Sequence, residues 1–186
     1  DICLIAEASH ERDKELGFSG FEKAMGTLAE FTLRLAKKHN LKIAFAGKRP
    51  KFVFEKSVQK ESQHNINEHI FYKKYIKGNY TMLQRNIKNY SSYQLMSNSK
   101  LTIAMCSTLL RENLALRGKV LACNFTNNKI WDFPIQGICS LNNLNFEEFE
   151  KSVLKLLSIS YRNYILNLKK KPKYLMYFSK SNSTLD

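Results

Sequence analysis

The stretch Lys100–Gly118, KLTIAMCSTLLRENLALRG, contains a strand-like pattern followed directly by a helix-like pattern. Residues 101–105 form a short, mainly apolar run of strand length, and leucines then recur at helical spacing. Ser107 is a residue type that often caps the start of a helix, and Gly118 is a type that often ends one. The stretch therefore predicts a buried strand that leads into a helix at Ser107.

A junction of this kind is suited to hold an anion. A parallel strand that leads into a helix directs free backbone N–H groups and the positive end of the helix dipole toward one point. Ser107 and Thr108 add two hydroxyl groups there. We expect phosphate as the ligand, and the alternative is that the pair only caps the helix.

Glu112 follows Thr108 by four residues, so it lies about one turn further along the same face of the predicted helix. A carboxylate at this place would accept hydrogen bonds from a ribose diol while the helix N-terminus holds a phosphate. The alternative is an ordinary solvated side chain that pairs with Arg111 or Lys119.

Apolar strand-like runs alternate with helical patterns along the whole chain of 186 residues. This alternation predicts an α/β fold, a Rossmann-like three-layer domain over residues 1–168, with a mostly parallel sheet of at least five strands. Residues 169–186 form a basic, aromatic tail. The predicted strands are Ile2–Ala6, Lys42–Ala46, Tyr80–Leu83, Leu101–Met105 and Val120–Phe125. The predicted helices, besides the one after Ser107, are Phe21–His39, about Glu68–Lys77, Ser91–Ser97 and a long amphipathic helix Phe146–Leu168.

Ligands of open α/β sheets bind beyond the carboxyl ends of the strands, so the segments after each strand are the candidate sites. Lys48 and Arg49 follow the second strand and would reach a phosphate or a sugar carboxylate; the alternative is two solvated cations. Asn124 and Thr126 follow the fifth strand, and we expect them to shape a turn.

The order of these elements resembles the nucleotide-binding C-terminal half of GT-B glycosyltransferases. The shared features are a strand, Ser-Thr, three residues, Glu, a helix ending Arg117-Gly118-Lys119-Val120, and a new apolar strand. The chain looks most like bacterial surface-polysaccharide enzymes related to Kdo and sialic acid transferases and like surface carbohydrate biosynthesis proteins. The resemblance is concentrated in residues 90–125. The His-Pro pair of several CMP-sugar transferases has no counterpart here, and Lys48-Arg49-Pro50 occupies a comparable strand end.

In that group a serine-rich pair grips the donor phosphate and an acidic residue one turn later binds the ribose, so these roles fall on Ser107, Thr108 and Glu112 by resemblance. Arg85 follows the third strand, where GT-B proteins commonly contact the base, and is expected to bind the donor. The resemblance implies a domain that binds a nucleotide-sugar, CMP-linked sugars being favoured, for transfer to a surface glycan or lipid-linked acceptor. No cofactor or metal is expected.

The general base of GT-B enzymes usually comes from their other domain. The chain enters a strand directly after Asp1, so we expect an N-terminal domain to be missing from this sequence. Within the chain, the catalytic candidates are Glu7, His10 and Glu11, in the charged segment after the first strand; the alternative is a solvated loop. A nucleotide-sugar 2-epimerase is the alternative enzyme, although its phosphate loop is richer in glycine than residues 106–109.

The net charge of +14, from 30 Lys and Arg against 16 Asp and Glu, favours polyanionic partners. Between 161 and 180 there is no acidic residue, and cations alternate with aromatic residues: Tyr161, Arg162, Tyr164, Lys169, Lys170, Lys171, Lys173, Tyr174, Tyr177, Phe178 and Lys180. This pattern predicts an anchor on an anionic membrane surface. A compositional bias is the second explanation and a nucleic-acid surface the third.

The four cysteines, Cys3, Cys106, Cys123 and Cys139, lack a C-x-x-C spacing and are predicted to be buried free thiols. The histidines show no metal-ligand spacing. With no signal peptide and no long apolar span, the sequence predicts a cytoplasmic protein, soluble or peripheral on the inner face of the cytoplasmic membrane.

Overall fold

The structure is a computed structural model that describes residues 1–6, 20–47, 68, 70–78, 80–83, 91–142 and 145–169. Its strands are β1 (Ile2–Ala6), β2 (Ile43–Gly47), β3 (Thr81–Leu83), β4 (Leu101–Ala104), β5 (Val120–Cys123) and β6 (Ser140–Leu141). Its helices are α1 (Phe21–His39), α2 (Ser91–Ser97), α3 (Thr108–Ala115), α4 (Phe146–Ser158) and α5 (Tyr161–Leu166). Residues 70–75 are also helical, and Lys129–Trp131 form one 3₁₀ turn.

The six strands form one sheet in the order β3-β2-β1-β4-β5-β6, and each neighbouring pair is parallel. The predicted Rossmann-like α/β class is confirmed. The strand order reverses between β1 and β4, which is the topological switch point where open parallel sheets form their ligand crevice. We call the edge where the strands end the carboxyl edge and the opposite one the amino edge.

Helices cover both faces of the sheet. On one face α1 packs against α4, where the Phe31 ring lies 5.4 Å from the Phe146 ring and 5.8 Å from the Phe149 ring. On the other face α2 packs against α3. The right-handed crossovers β1-α1-β2 and β4-α3-β5 proceed in opposite directions from the switch point, which places α1 and α3 on opposite faces.

The central strands are apolar and buried along their length because both of their faces are covered. One ion-pair cluster ties α1 to α4: the Glu150 carboxylate lies 2.8 Å from Lys38 and 2.5 Å from His39. The hydrogen bond from Lys38, together with that from His39, holds the pKa of the Glu150 carboxyl below its usual range.

Four strands were predicted with the wrong bounds, and one of them is β3, which begins at Thr81 rather than at Tyr80. β4 ends at Ala104 and β5 at Cys123, each short of its prediction. β2 spans Ile43–Gly47, one residue later than predicted. The two-residue strand β6 was not predicted, since so short a run has no detectable period.

The predicted single helix Phe146–Leu168 is wrong, because the structure has two helices, α4 and α5. Ile159 is extended (φ −75°, ψ 150°), and the Ser160 hydroxyl then caps α5 by accepting a hydrogen bond from the Asn163 N–H at 3.3 Å. The break brings the buried Tyr164 to the sheet, where its hydroxyl bonds both backbone groups of Val120. A tertiary contact thus overrides a continuous amphipathic pattern.

Cys3, Cys123 and Cys139 are buried and unpaired, as predicted, whereas Cys106 is only half-buried. Burial raises the pKa of Cys3 and of Cys139 to about 12, so both remain protonated at neutral pH. Among the described residues, no helix combines the length and the apolar character that crossing a membrane requires.

Candidate functional site

The junction between β4 and α3 lies at the carboxyl edge. Ser107 is the N-cap of α3, with extended backbone angles (φ −65°, ψ 140°), and Thr108 is the first helical residue. Because β4 is paired with β1 on one side and β5 on the other, α3 begins directly beside the switch point. The sequence-based prediction of Ser107 at the start of the helix after the fourth strand is confirmed.

The first turn of α3 has polar groups available for a ligand. The Ser107 hydroxyl accepts a hydrogen bond from the Leu109 N–H at 3.4 Å, which is longer than the usual 2.7–3.2 Å for such bonds. The hydroxyl's own proton is free to be donated elsewhere. Within the described residues, the N–H of Thr108 has no acceptor, and the Thr108 side chain is exposed. Hydroxyl and N–H donors at a helix N-terminus can bind an anion.

Glu112 lies one turn further along α3 and is half-buried. Its Oε2 accepts a hydrogen bond from the Tyr93 hydroxyl of α2. Neither Arg111 nor Lys119, the partners expected from sequence, forms an ion pair with it. Tyr93 was missed by the sequence analysis, because its role depends on how α2 packs against α3. The Tyr93 bond fixes one carboxylate oxygen and leaves the other for a further donor.

The remaining predicted site residues lie outside the described part of the chain: Glu7, His10, Glu11, Lys48, Arg49 and Arg85. The strands before them are described. β1, β2 and β3 are in register, with Ala6 opposite Gly47 and Ala46 opposite Leu83. These three strands therefore end at the same edge as β4, where α3 begins.

Asn124 and Thr126 form the turn after β5, as the sequence predicted. The Asn124 side chain, only 3% exposed, accepts hydrogen bonds from the Thr126 N–H and Oγ1 at 3.1 and 2.6 Å. It donates to the Asn128 carbonyl at 2.9 Å and to Asp132 Oδ1 at 2.6 Å. These four bonds satisfy the carboxamide completely, so the geometry shows a structural role. Asp132, which also accepts a bond from Asn142, was not singled out in the sequence.

A protein-family model described as "putative O-antigen biosynthesis protein" matches residues 50–184, well over half of the chain. The chain belongs to this family. The matched region includes the whole junction from β4 through Glu112. Neither a curated protein nor a solved structure matches the chain. The predicted connection with surface-polysaccharide biosynthesis agrees with the family's description.

Proposed function

We propose that this domain binds the nucleotide-sugar donor of a GT-B-type glycosyltransferase that builds a surface polysaccharide. The observation that carries the proposal is the position of α3. Its N-terminus, with the hydroxyls of Ser107 and Thr108, lies at the carboxyl edge beside the switch point of an all-parallel sheet. Membership of an O-antigen biosynthesis family supports a sugar-containing substrate.

In this proposal the donor phosphate lies at the first turn of α3. The helix dipole, the free N–H of Thr108 and the two hydroxyls stabilise the negative charge that grows on the departing nucleotide. Lys48, Arg49 and Arg85 follow strands that end at the same edge, and they supply the cations. This domain would then contribute to sugar transfer by positioning the donor and by stabilising the charge on its phosphate without a metal ion.

Glu112 binds the ribose of the donor in this proposal. Tyr93 already holds Oε2, so a ribose hydroxyl would donate to Oε1. The Tyr93 bond restricts the side-chain rotation of Glu112 and so lowers the entropy that nucleotide binding must overcome. CMP-linked sugars are the favoured donors, and the acceptor is a surface glycan or a lipid-linked glycan at the inner face of the cytoplasmic membrane. The general base comes from a partner domain in this proposal. If the base belongs to this chain instead, the candidates are Glu7, His10 and Glu11.

Calorimetry with CMP, UDP and GDP tests the proposal. Replacing Ser107 and Thr108 together by alanine removes two hydroxyl bonds to a charged phosphate, each worth roughly 1.5–3 kcal/mol. Nucleotide affinity should fall at least about tenfold. The matched control, Thr27→Ala with Ser158→Ala, removes two hydroxyls that bond only to backbone carbonyls of their own helices, and its affinity should equal the parent's.

Glu112→Gln separates the ribose contact from the phosphate contact. The amide keeps the shape and loses the charge-assisted bonds, so nucleotides should bind more weakly while inorganic phosphate binds the junction as before. Absence of nucleotide binding by the intact protein would overturn the proposal. Equal nucleotide affinity in the double alanine variant and the parent would show that the Ser-Thr pair is a cap and nothing more.

A further inference from the structure

A cavity of about 270 Å³ opens at the amino edge, between the end of α2, the end of α3 and the start of α5. Lys100 and Lys119 line it, and each directly precedes a strand, β4 and β5. The eight residues of α3, at 1.5 Å per residue, place the cavity about 12 Å along the helix from the Ser107 junction. It is therefore a separate site.

The lining of this amino-edge pocket is cationic. Lys100, Arg117 and Lys119 contribute three positive charges, and none of the described residues that line the cavity is acidic. Asp1 binds Lys100 at 2.9 Å. In the described part of the chain Arg117 has no ion-pair partner.

Lys119 has only neutral partners, because its ammonium donates to the Leu156 carbonyl at 2.5 Å and to the Ile159 carbonyl at 2.9 Å. These bonds hold the ammonium in position without cancelling its charge. Burial, together with the charge of Lys100, lowers the pKa of Lys119. The pocket therefore has a positive potential that an anion would reduce.

The backbone brings Arg117 to this pocket at a conformational cost. Arg117 has φ +63°, the left-handed conformation that glycine adopts most readily at a helix C-terminus. The neighbouring Gly118 does not take this role: a Cβ at Gly118 would lie 2.2 Å from Asn113 Oδ1, so close packing requires glycine there. Arg117 remains at the strained position.

The pocket also has aromatic and amide walls. The rings of Tyr93 and Tyr161 line it. Asn113, 4% exposed, lines it as well and is fixed by donating to Thr102 Oγ1 at 2.9 Å. The volume lies just below the 300–1,000 Å³ typical of sites for drug-sized ligands, so it suits one small group rather than a complete nucleotide-sugar.

We propose that the amino-edge pocket binds the phosphate group of a sugar phosphate, with Arg117 as the main phosphate ligand and Lys100 and Lys119 as supporting charges. A guanidinium binds phosphate oxygens with two parallel hydrogen bonds. Because Asp1 pairs with Lys100, the two cations of the pocket without an acidic partner among the described residues are Arg117 and Lys119, and their two charges match a dianionic phosphomonoester better than a singly charged sugar carboxylate. The tyrosine rings provide apolar faces for the sugar. This site lies at the opposite end of α3 from the proposed donor site, and Tyr93 contacts both, since it lines the pocket and bonds to Glu112.

Calorimetry with glucose 1-phosphate and with inorganic phosphate tests the proposal. The measurements use the Ser107→Ala, Thr108→Ala double variant as the background, so that the junction does not contribute to binding. Arg117→Gln should lower the affinity for glucose 1-phosphate at least about tenfold, as expected for loss of a charge-assisted bidentate contact. The matched control is Arg111→Gln, which removes the same charge from an exposed position on α3 outside the pocket. Its affinity should equal the parent's.

Equal weakening by Arg111→Gln and Arg117→Gln would mean that only the overall surface charge matters, and it would overturn the proposal. A lipid headgroup is the other source of a phosphate, so the same variants are tested with phosphatidylglycerol vesicles and with phosphatidylcholine vesicles. If Arg117→Gln reduces binding to phosphatidylglycerol vesicles while the parent binds no glucose 1-phosphate, the sugar-phosphate assignment is wrong. If the double alanine variant still binds glucose 1-phosphate, this supports the proposal that the amino-edge pocket is a sugar-phosphate site, even if the junction binds no nucleotide.

Discussion

The two ends of α3 offer an anion different kinds of groups. At the carboxyl edge the groups are uncharged hydroxyls and N–H donors, and the helix dipole itself attracts negative charge. At the amino edge the dipole is unfavourable to an anion, and the attraction must come from Lys100, Arg117 and Lys119. The donors at the carboxyl edge are held in place by the first turn of the helix, whereas a site made of long side chains depends on each of them and on the packing that holds them.

The largest effect is expected for Tyr164→Phe, at the helix that forms one wall of the amino-edge pocket. β6 begins opposite Ala122, so Val120 has no strand partner on that side. The Tyr164 hydroxyl takes the place of the missing strand partner. It donates a hydrogen bond to the Val120 carbonyl at 3.0 Å and accepts one from the Val120 N–H at 3.1 Å. Each buried group left unpaired costs about 1–3 kcal/mol. Urea unfolding should therefore show a loss of roughly 2–6 kcal/mol for the two groups together.

Tyr164 lies on the helix at the amino edge, so the effect on ligand binding should be confined to that edge. Tyr164→Phe should weaken glucose 1-phosphate binding at the amino edge and leave nucleotide binding at the carboxyl edge unchanged. Tyr80→Phe is the control, because this partly buried ring packs against Phe45 and its hydroxyl has no recorded bond among the described residues. Its stability should stay within about 0.5 kcal/mol of the parent's. A parent-like stability for Tyr164→Phe would show that water replaces the hydroxyl.

Elements with a strong local pattern were predicted to the residue. β1, α1 and α2 have the predicted bounds. A continuous buried apolar run specifies β1, and a clear helical period specifies α1. Ser107 at the start of α3 belongs to the same group, since a cap is a short-range feature of the sequence. The part of the candidate site that lies on one helix was therefore accessible from sequence.

Features that depend on long-range packing were not predicted. No Gly or Pro marks the break between α4 and α5, and the reason for it is the reach of Tyr164 to Val120, 44 residues away in sequence. The contact between Tyr93 and Glu112 and the cations of the amino-edge pocket likewise require α2, α3 and α5 to be in place. Local rules also assign the left-handed residue after α3 to Gly118, yet in the structure this residue is Arg117, and Gly118 packs closely against Asn113.

Gly118→Ala should have an intermediate effect that is confined to the amino edge. The new Cβ would lie 2.2 Å from Asn113 Oδ1, so the carboxamide must move and lose its 2.9 Å bond to Thr102. Both groups are buried, and the expected loss is about 1–3 kcal/mol of unfolding free energy. In an Asn113→Ala background the same change should cost little, and a double-mutant cycle measures the difference. Additive losses would contradict this explanation.

Arg117→Gly should have the smallest effect on stability, and one of opposite sign. Glycine accepts φ +63° without the steric cost of about 1–2 kcal/mol that a side chain bears in the left-handed region. Its greater freedom in the unfolded chain offsets about 0.5–1 kcal/mol of that gain. Thermal unfolding should therefore show a variant between unchanged and about 1.5 kcal/mol more stable, while glucose 1-phosphate binding is lost. Ser107→Ala at the other end of α3 should instead lose about 1 kcal/mol of stability together with nucleotide affinity. At the carboxyl edge Ser107 caps the helix and is also the proposed ligand-binding group, whereas at the amino edge the chain keeps an arginine that stability alone would replace. If Arg117→Gly were less stable than the parent, Arg117 would have a structural role, and the contrast between the two ends of the helix would fail.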